Sequence, residues 1–301
     1  MRQNKTAIGI LCAIGCEAFF GLSYLFTKTA PQAAGAFALL GWRFLIAVIM
    51  MTLCVLLGLV KINLKGKPIK PLLLVALFNP CIYFIGETIG ISHTTASESG
   101  AFLACIPVAS LLASTLILKH KPTKIQTVGI LITLIGVLIT VFAVGASSSL
   151  SVIGYVFLIV AVLSYALYSV YVEKAVDYTG AEITYMMLIV GAVVFGIIAV
   201  IEALQNGGVG ELVALPFRNT VFLIAIFYQG IVCSTLAFFM SNVAIAKIGV
   251  NRTSSFIGVS TVVSIIAGAL LLKETFTVWQ IVGAIVIILG VYTANAKTTT
   301  E

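Results

Sequence analysis

The chain has 301 residues, 61% hydrophobic and only 9% charged, where a water-soluble domain runs about 45–50% apolar and about 25% charged. So few charges cannot clothe a soluble exterior, which excludes a soluble enzyme, a nucleic-acid binder and a disordered chain. Lys and Arg number 17 against 10 acidic residues, a net charge of +7; in a membrane protein that excess reports loop orientation rather than an acidic partner.

A helix crossing the hydrocarbon layer needs about 20 apolar residues, and ten such runs follow one another. The first, Thr6–Phe26, comes after Arg2 and Lys5 in the manner of a signal peptide. It is too long for a signal h-region and nine more spans follow, so it reads as a retained helix. It carries Glu17 near its middle and Tyr24 seven residues later on the same face. The second, Ala36–Leu59, holds Arg43 about two turns inside. The third, Pro71–Ile91, places Tyr83 and Glu87 four apart on one face, with Gly86 and Gly90 as a close-packing pair. The fourth, Ser97–Leu118, opens on Glu98 and contains Pro107. The fifth, Thr123–Phe142, has Gly129 and Gly136 on one face, and the sixth, Val152–Val172, has Tyr165 and Tyr168. The seventh is Ile183–Leu204. A longer connection, Gln205 to Asn219, is expected to hold a short interfacial turn. The eighth, Thr220–Ala244, contains Gln229 and Asn242. The ninth is Ser254–Leu272, and the tenth, Val278–Ala294, carries Gly283 and Gly290. The expected fold is therefore an all-α integral membrane protein of ten transmembrane helices.

Basic residues orient it. With the N-terminus in the cytoplasm, thirteen fall inside, clustered at Lys61–Lys70 and Lys119–Lys124, and only Lys28, Arg218 and Lys273 fall outside. Both termini are then cytoplasmic.

The segment Ala96–Val137 repeats at Val250–Val291 without a gap. Matches include Phe102/Phe256, Ser110/Ser264, Lys119/Lys273, Thr123/Thr277, Gln126/Gln280, Gly129/Gly283 and Gly136/Gly290. Leu and Val coincide easily in apolar segments; Lys, Thr, Gln and two glycines in register do not. The halves, 1–145 and 146–301, hold five spans each. An odd number of crossings inserts the second half upside down, giving two inverted five-helix repeats, a hallmark of secondary transporters.

These features resemble the EamA type of the drug/metabolite transporter superfamily. Each repeat there ends in a proline-bearing helix, a short acidic loop and a helix with two glycines seven apart. The first repeat has Ile106-Pro107-Val108, then Gly129 and Gly136; the second has Lys273-Glu274-Thr275, then Gly283 and Gly290. The chain departs from the pattern at His120, where the first acidic loop would be, and at Thr261, where the second proline would be. The resemblance implies an exporter of small organic metabolites such as amino acids, in the plasma membrane, running on an ion gradient or downhill. Its partners are a small-molecule substrate, the lipid bilayer and a proton or other coupling ion, and it works as a monomer or weak homodimer.

Intramembrane charges are costly, about 2.5–3.5 kcal/mol or more at mid-bilayer, so Glu17, Arg43 and Glu87 are the first candidates for the pathway. Glu17 or Glu87 suits a proton or an ammonium group and Arg43 a carboxylate; alternatively Arg43 pairs with a glutamate and locks two helices. Glu98 is either a pathway acid or a helix N-terminal acid complementing the macrodipole. Tyr24, Tyr83, Tyr165, Tyr168, Gln229 and Asn242 suit the lining of a cavity for an amphipathic solute with a charged head. The competing reading gives the amides to interhelical bonding and the tyrosines to packing or anchoring. Pro107 is a bend site or a tolerated kink, and Gly129, Gly136, Gly283 and Gly290 let the fifth and tenth helices pack as scaffold. Six cysteines without a CxxC and two histidines signal neither a disulfide framework nor a metal site. No phosphate-binding loop is present, so no cofactor is expected. A membrane enzyme acting on lipid-linked substrates would need clustered Asp, His or Cys, which is missing; a lipid flippase remains the alternative.

Overall fold

A computed structural model describes residues 2–29, 35–143, 150–273 and 277–296. Ten helices in it are long and apolar enough to cross a membrane. In chain order they are Arg2–Thr29, Ala36–Leu56, Lys70–Ser92, Glu98–Leu118, Lys124–Phe142, Val152–Lys174, Gly180–Gln205, Thr220–Ile248, Val250–Leu271 and Val278–Asn295. They match the ten expected spans, with shifted ends. The seventh starts three residues earlier than Ile183 because Thr179 caps it: Thr179 Oγ1 accepts from Glu182 N at 3.2 Å while the Glu182 carboxylate accepts from Thr179 N at 2.8 Å. The expected interfacial turn is instead a ten-residue amphipathic helix, Val209–Arg218. Gly207 and Gly208, at φ 127° and 97°, make the sharp turn into it, a backbone region open to glycine.

The repeat in the sequence is a repeat in backbone detail. The fourth and ninth spans both end on a lysine in left-handed conformation, Lys119 at φ 59° and Lys273 at φ 55°. The fifth and tenth both begin with a reciprocal capping box, Thr123 with Gln126 and Thr277 with Gln280. The Lys, Thr and Gln identities are thus one turn, used twice.

Two pairs of corresponding spans, the fifth with the tenth and the second with the seventh, pack against each other in antiparallel fashion. In the fifth and tenth, Gly129 lies against Ala294 and Gly136 against Gly283 and Ile287. A Cβ on Gly129 would stand 2.3 Å from the Ala294 backbone nitrogen, and one on Gly290 2.4 Å from Thr133 N. Backbone meets backbone at these glycines, a close packing that small residues permit. In the second and seventh, Gly41 faces Ala199, Phe44 stacks on Phe195 at 5.2 Å, and Thr52 Oγ1 bonds Tyr185 Oη at 3.1 Å. The remaining neighbours come in mirrored sets: the third with the sixth matches the eighth with the first, and the fourth with the sixth matches the ninth with the first.

Four spans are broken, again in corresponding places. The third leaves helical geometry at Asn79, φ −140° and ψ 116°, before Pro80; a residue preceding proline is pushed out of the α region. The eighth runs through wide turns over Tyr228–Ala237. The fourth is interrupted at Ala104 and Cys105, the ninth at Ser255–Ile257. Pro107 therefore bends no continuous helix. It lies in the first turn of the segment restarting at Ile106, where its missing N–H has no intrahelical partner to lose.

Candidate functional site

The four broken spans, together with the first, second, fifth and sixth, line a cavity of about 530 Å³. Its deep wall carries Glu17, Arg43, Tyr165 and Gln229, and its side wall Tyr83 and Glu87. From there it runs past Pro107 and Gly100 to Ile91 and Val141, near the ends of the third and fifth spans. A volume of this order takes a small organic molecule.

Arg43 is buried, at 7% exposure. Its Nε donates to Ser234 Oγ at 2.6 Å and its Nη1 to Gln229 Oε1 at 3.1 Å. Three rings surround the guanidinium, with Cζ 4.7 Å from the Phe84 centroid, 5.6 Å from Phe44 and 5.9 Å from Phe238. No carboxylate among the described residues lies within ion-pair distance of it, so Arg43 does not lock two helices through a glutamate. Ser234 could place itself here because the wide turns of the eighth span point it at the second.

Glu17, 5% exposed, faces the cavity beside Ser260 of the broken ninth span, and its Oε1 lies 3.8 Å from the Cys16 thiol. Glu87 accepts a hydrogen bond from the Tyr83 hydroxyl at 2.7 Å, the i,i+4 contact expected from their spacing. Asn79, 3% exposed, also lines the cavity, and its Oδ1 is buried without a hydrogen-bond partner; such an acceptor is costly to leave unmet.

Three candidates lie elsewhere. Glu98 closes the capping box with Thr95 and accepts from the Tyr155 hydroxyl, tying the start of the fourth span to the sixth. Tyr168 donates to Asn242 Oδ1 at 2.6 Å, and Asn242 Nδ2 donates to Thr184 Oγ1 at 2.9 Å. That buried chain joins the sixth, seventh and eighth spans as interhelical glue. The Tyr24 side chain lies outside the described residues, as do Glu274, Thr275 and Phe276 of the second acidic loop.

A group of polar ties gathers at the end of the bundle where the third and seventh spans begin. Glu182, buried at the start of the seventh span, accepts from Lys67 Nζ at 2.8 and 2.9 Å and from Asn63 N at 3.0 Å. The Tyr178 hydroxyl donates to the Pro68 carbonyl. Glu173 meets His120 Nδ1 at 3.2 Å and accepts from Val250 N at 2.6 Å. Each tie joins one half of the chain to the other or spans two loops of that face.

Sequence reasoning missed Ser234, Asn79, Phe84 and Phe238. Only Asn79 had a signal, the Asn79-Pro80 pair inside an apolar run. A lone serine or phenylalanine in such a run looks the same facing lipid or cavity.

A model of the EamA-like transporter family matches residues 7–142 and again 152–296. The uncharacterized transporter YcxC of Bacillus subtilis (strain 168) is 33% identical over 98% of this chain and 95% of its own length. A WAT1-related protein of Arabidopsis thaliana is 23% identical over 68% of this chain and 61% of its own. A crystal structure 17% identical in sequence superposes with a TM-score of 0.73 over 96% of this chain and 98% of its own, a likeness of fold.

Proposed function

The chain belongs to the EamA-like transporter family, a multi-pass membrane protein, and on that premise we propose that it exports small organic metabolites, amino acids among them, by alternating access of its halves, 1–145 and 146–301. One observation carries this reading. The cavity is bordered by spans broken at corresponding places in both halves, the kind of interrupted helix that lines a transport path. Two antiparallel halves of one design have two states of similar energy, one open at each end.

The basic loops put the Lys67–Glu182 end in the cytoplasm of a plasma-membrane protein, with both termini on that side. The described state is then open outward and latched inward, and the inward-open state arises when the ties around Glu182 and Glu173 part and their counterparts near the mouth close. Export is the direction the family resemblance implies. Glu17 is the coupling group: an unpaired carboxylate at this depth must be protonated or occupied, so each change of access exchanges a proton for solute. Inverted vesicles presented with a solute panel in the outer medium test the reading. Uptake of at least one small metabolite into them, abolished by Glu17→Gln in a folded protein, is expected. Absence of uptake across the panel, with a cavity accessible from one side only, overturns it.

A further inference from the structure

We propose that Arg43 is the seat of a carboxylate carried by the transported solute, and that Glu87, held by Tyr83, limits that solute to a single anionic group. This deepens the transport reading and rests on it.

A guanidinium presents five N–H donors in a planar fork suited to a carboxylate. Here Nε and Nη1 are spent on the neutral oxygens of Ser234 and Gln229, and Nη2 has no partner among the described residues although the side chain lines the cavity. Those two bonds fix the plane of the fork rather than neutralise it. The rings of Phe44, Phe84 and Phe238 hold the group from other sides at 4.7 to 5.9 Å and keep water sparse. A buried cation hydrogen-bonded only to neutral oxygens is costly, and an anion seated on its free donors lowers that cost. Beside Arg43 the wall is aromatic, with Phe84, Phe238 and Tyr165 facing the same space, so the part of the solute next to the carboxylate is apolar or flat.

Glu87 sets the limit. It stands on the third span within electrostatic reach of Arg43, with Oε1 engaged by the Tyr83 hydroxyl. A second anionic group beside it meets a like charge in a site of low dielectric; a hydrogen-bond donor there is welcome. Arg43 is thus the specificity-determining residue, with Ser234 and Gln229 as positioning residues.

Isothermal titration of the full chain in nanodiscs tests this, using probes that differ only in the head group: 3-phenylpropionate against 3-phenylpropanamide, L-phenylalanine against L-phenylalaninamide, and phenylsuccinate as a dianion. In at least one pair the acid binds and its amide is weaker by about tenfold or more. Arg43→Lys, which keeps the charge and loses the fork, weakens that acid by about tenfold with an unchanged melting profile. Arg43→Gln abolishes binding; where it does not fold, Arg43→Lys decides alone. Glu87→Gln brings phenylsuccinate up to the affinity of the monoacid. The proposal is overturned if neither acid binds the folded parent, if in every pair that binds the amide matches its acid, if Arg43→Lys binds the acid as the parent does, or if phenylsuccinate already matches the monoacid in the parent. A chain that passes the vesicle assay but treats acid and amide alike keeps transport and loses the carboxylate seat; one that binds the acid but fails in vesicles does the reverse.

Discussion

The fifth and tenth spans and the third and eighth are built from the same apolar alphabet to opposite ends. The first pair is straight, capped at its start by Thr and Gln, and pressed backbone to backbone through glycines. The second pair is broken, at Asn79 and through Tyr228–Ala237, and turns its irregular stretch toward the cavity. One pair leaves no room between its backbones; the other turns polar groups and irregular backbone toward the cavity. Close packing and broken helix are thus divided between span pairs rather than between halves.

That contrast is sharpest at the glycines. Gly129→Leu forces a side chain into the Ala294 backbone, and overpacking of this kind costs about 1–3 kcal/mol or more. Since backbone cannot move aside as a side chain can, we expect loss of monodisperse protein by fluorescence-detected size exclusion. A well-folded Gly129→Leu that still transports would break the assignment of this pair to scaffold.

Next in size is Glu17→Gln in the cavity. It keeps the shape and removes the charge, so expression stays near the parent while transport is lost or uncoupled and its pH dependence flattens. A variant that transports like the parent throughout the physiological pH range leaves the carboxylate without a coupling role.

Glu182→Gln removes the charge that holds Lys67 and weakens two backbone ties at the closed end. Alkylation, by a reagent on that side, of a cysteine placed at Thr261 in the cavity wall should rise a few-fold. An unchanged rate would mean that this network does not hold the end shut.

Smallest is Thr277→Ala. It removes one capping bond from the tenth span and should cost about 1 kcal/mol of stability, seen as a slight fall in melting temperature with transport retained.

Much of this architecture was legible in the residues. Ten apolar runs gave ten spans, and Lys119/Lys273, Thr123/Thr277 and Gln126/Gln280 marked one turn built twice, because caps and left-handed ends need particular side chains. Glu17, Arg43, Glu87 and Gln229 stood out because a charge or amide within lipid depth demands company. Glu98 and Asn242 met the same criterion, and Tyr168 was chosen as an aromatic lining, yet all three lie outside the cavity: helical spacing tells which face a residue shares, not which neighbour that face meets. Ser234 became the partner of Arg43 only through the wide turns of the eighth span, which no pattern of apolar residues announces. The break at Asn79 was written in its proline and overlooked within a run long enough to cross.

The claim beneath all of this is that the halves are inverted about a shared cavity. Lys119 and Lys273 occupy equivalent left-handed positions at the ends of the fourth and ninth spans, so they test it most directly. In a background stripped of native cysteines, Lys273→Cys should react with an impermeant maleimide added to intact cells, and Lys119→Cys only after the membrane is opened. Reaction of both from the same side would contradict the inverted architecture and the alternating access built on it.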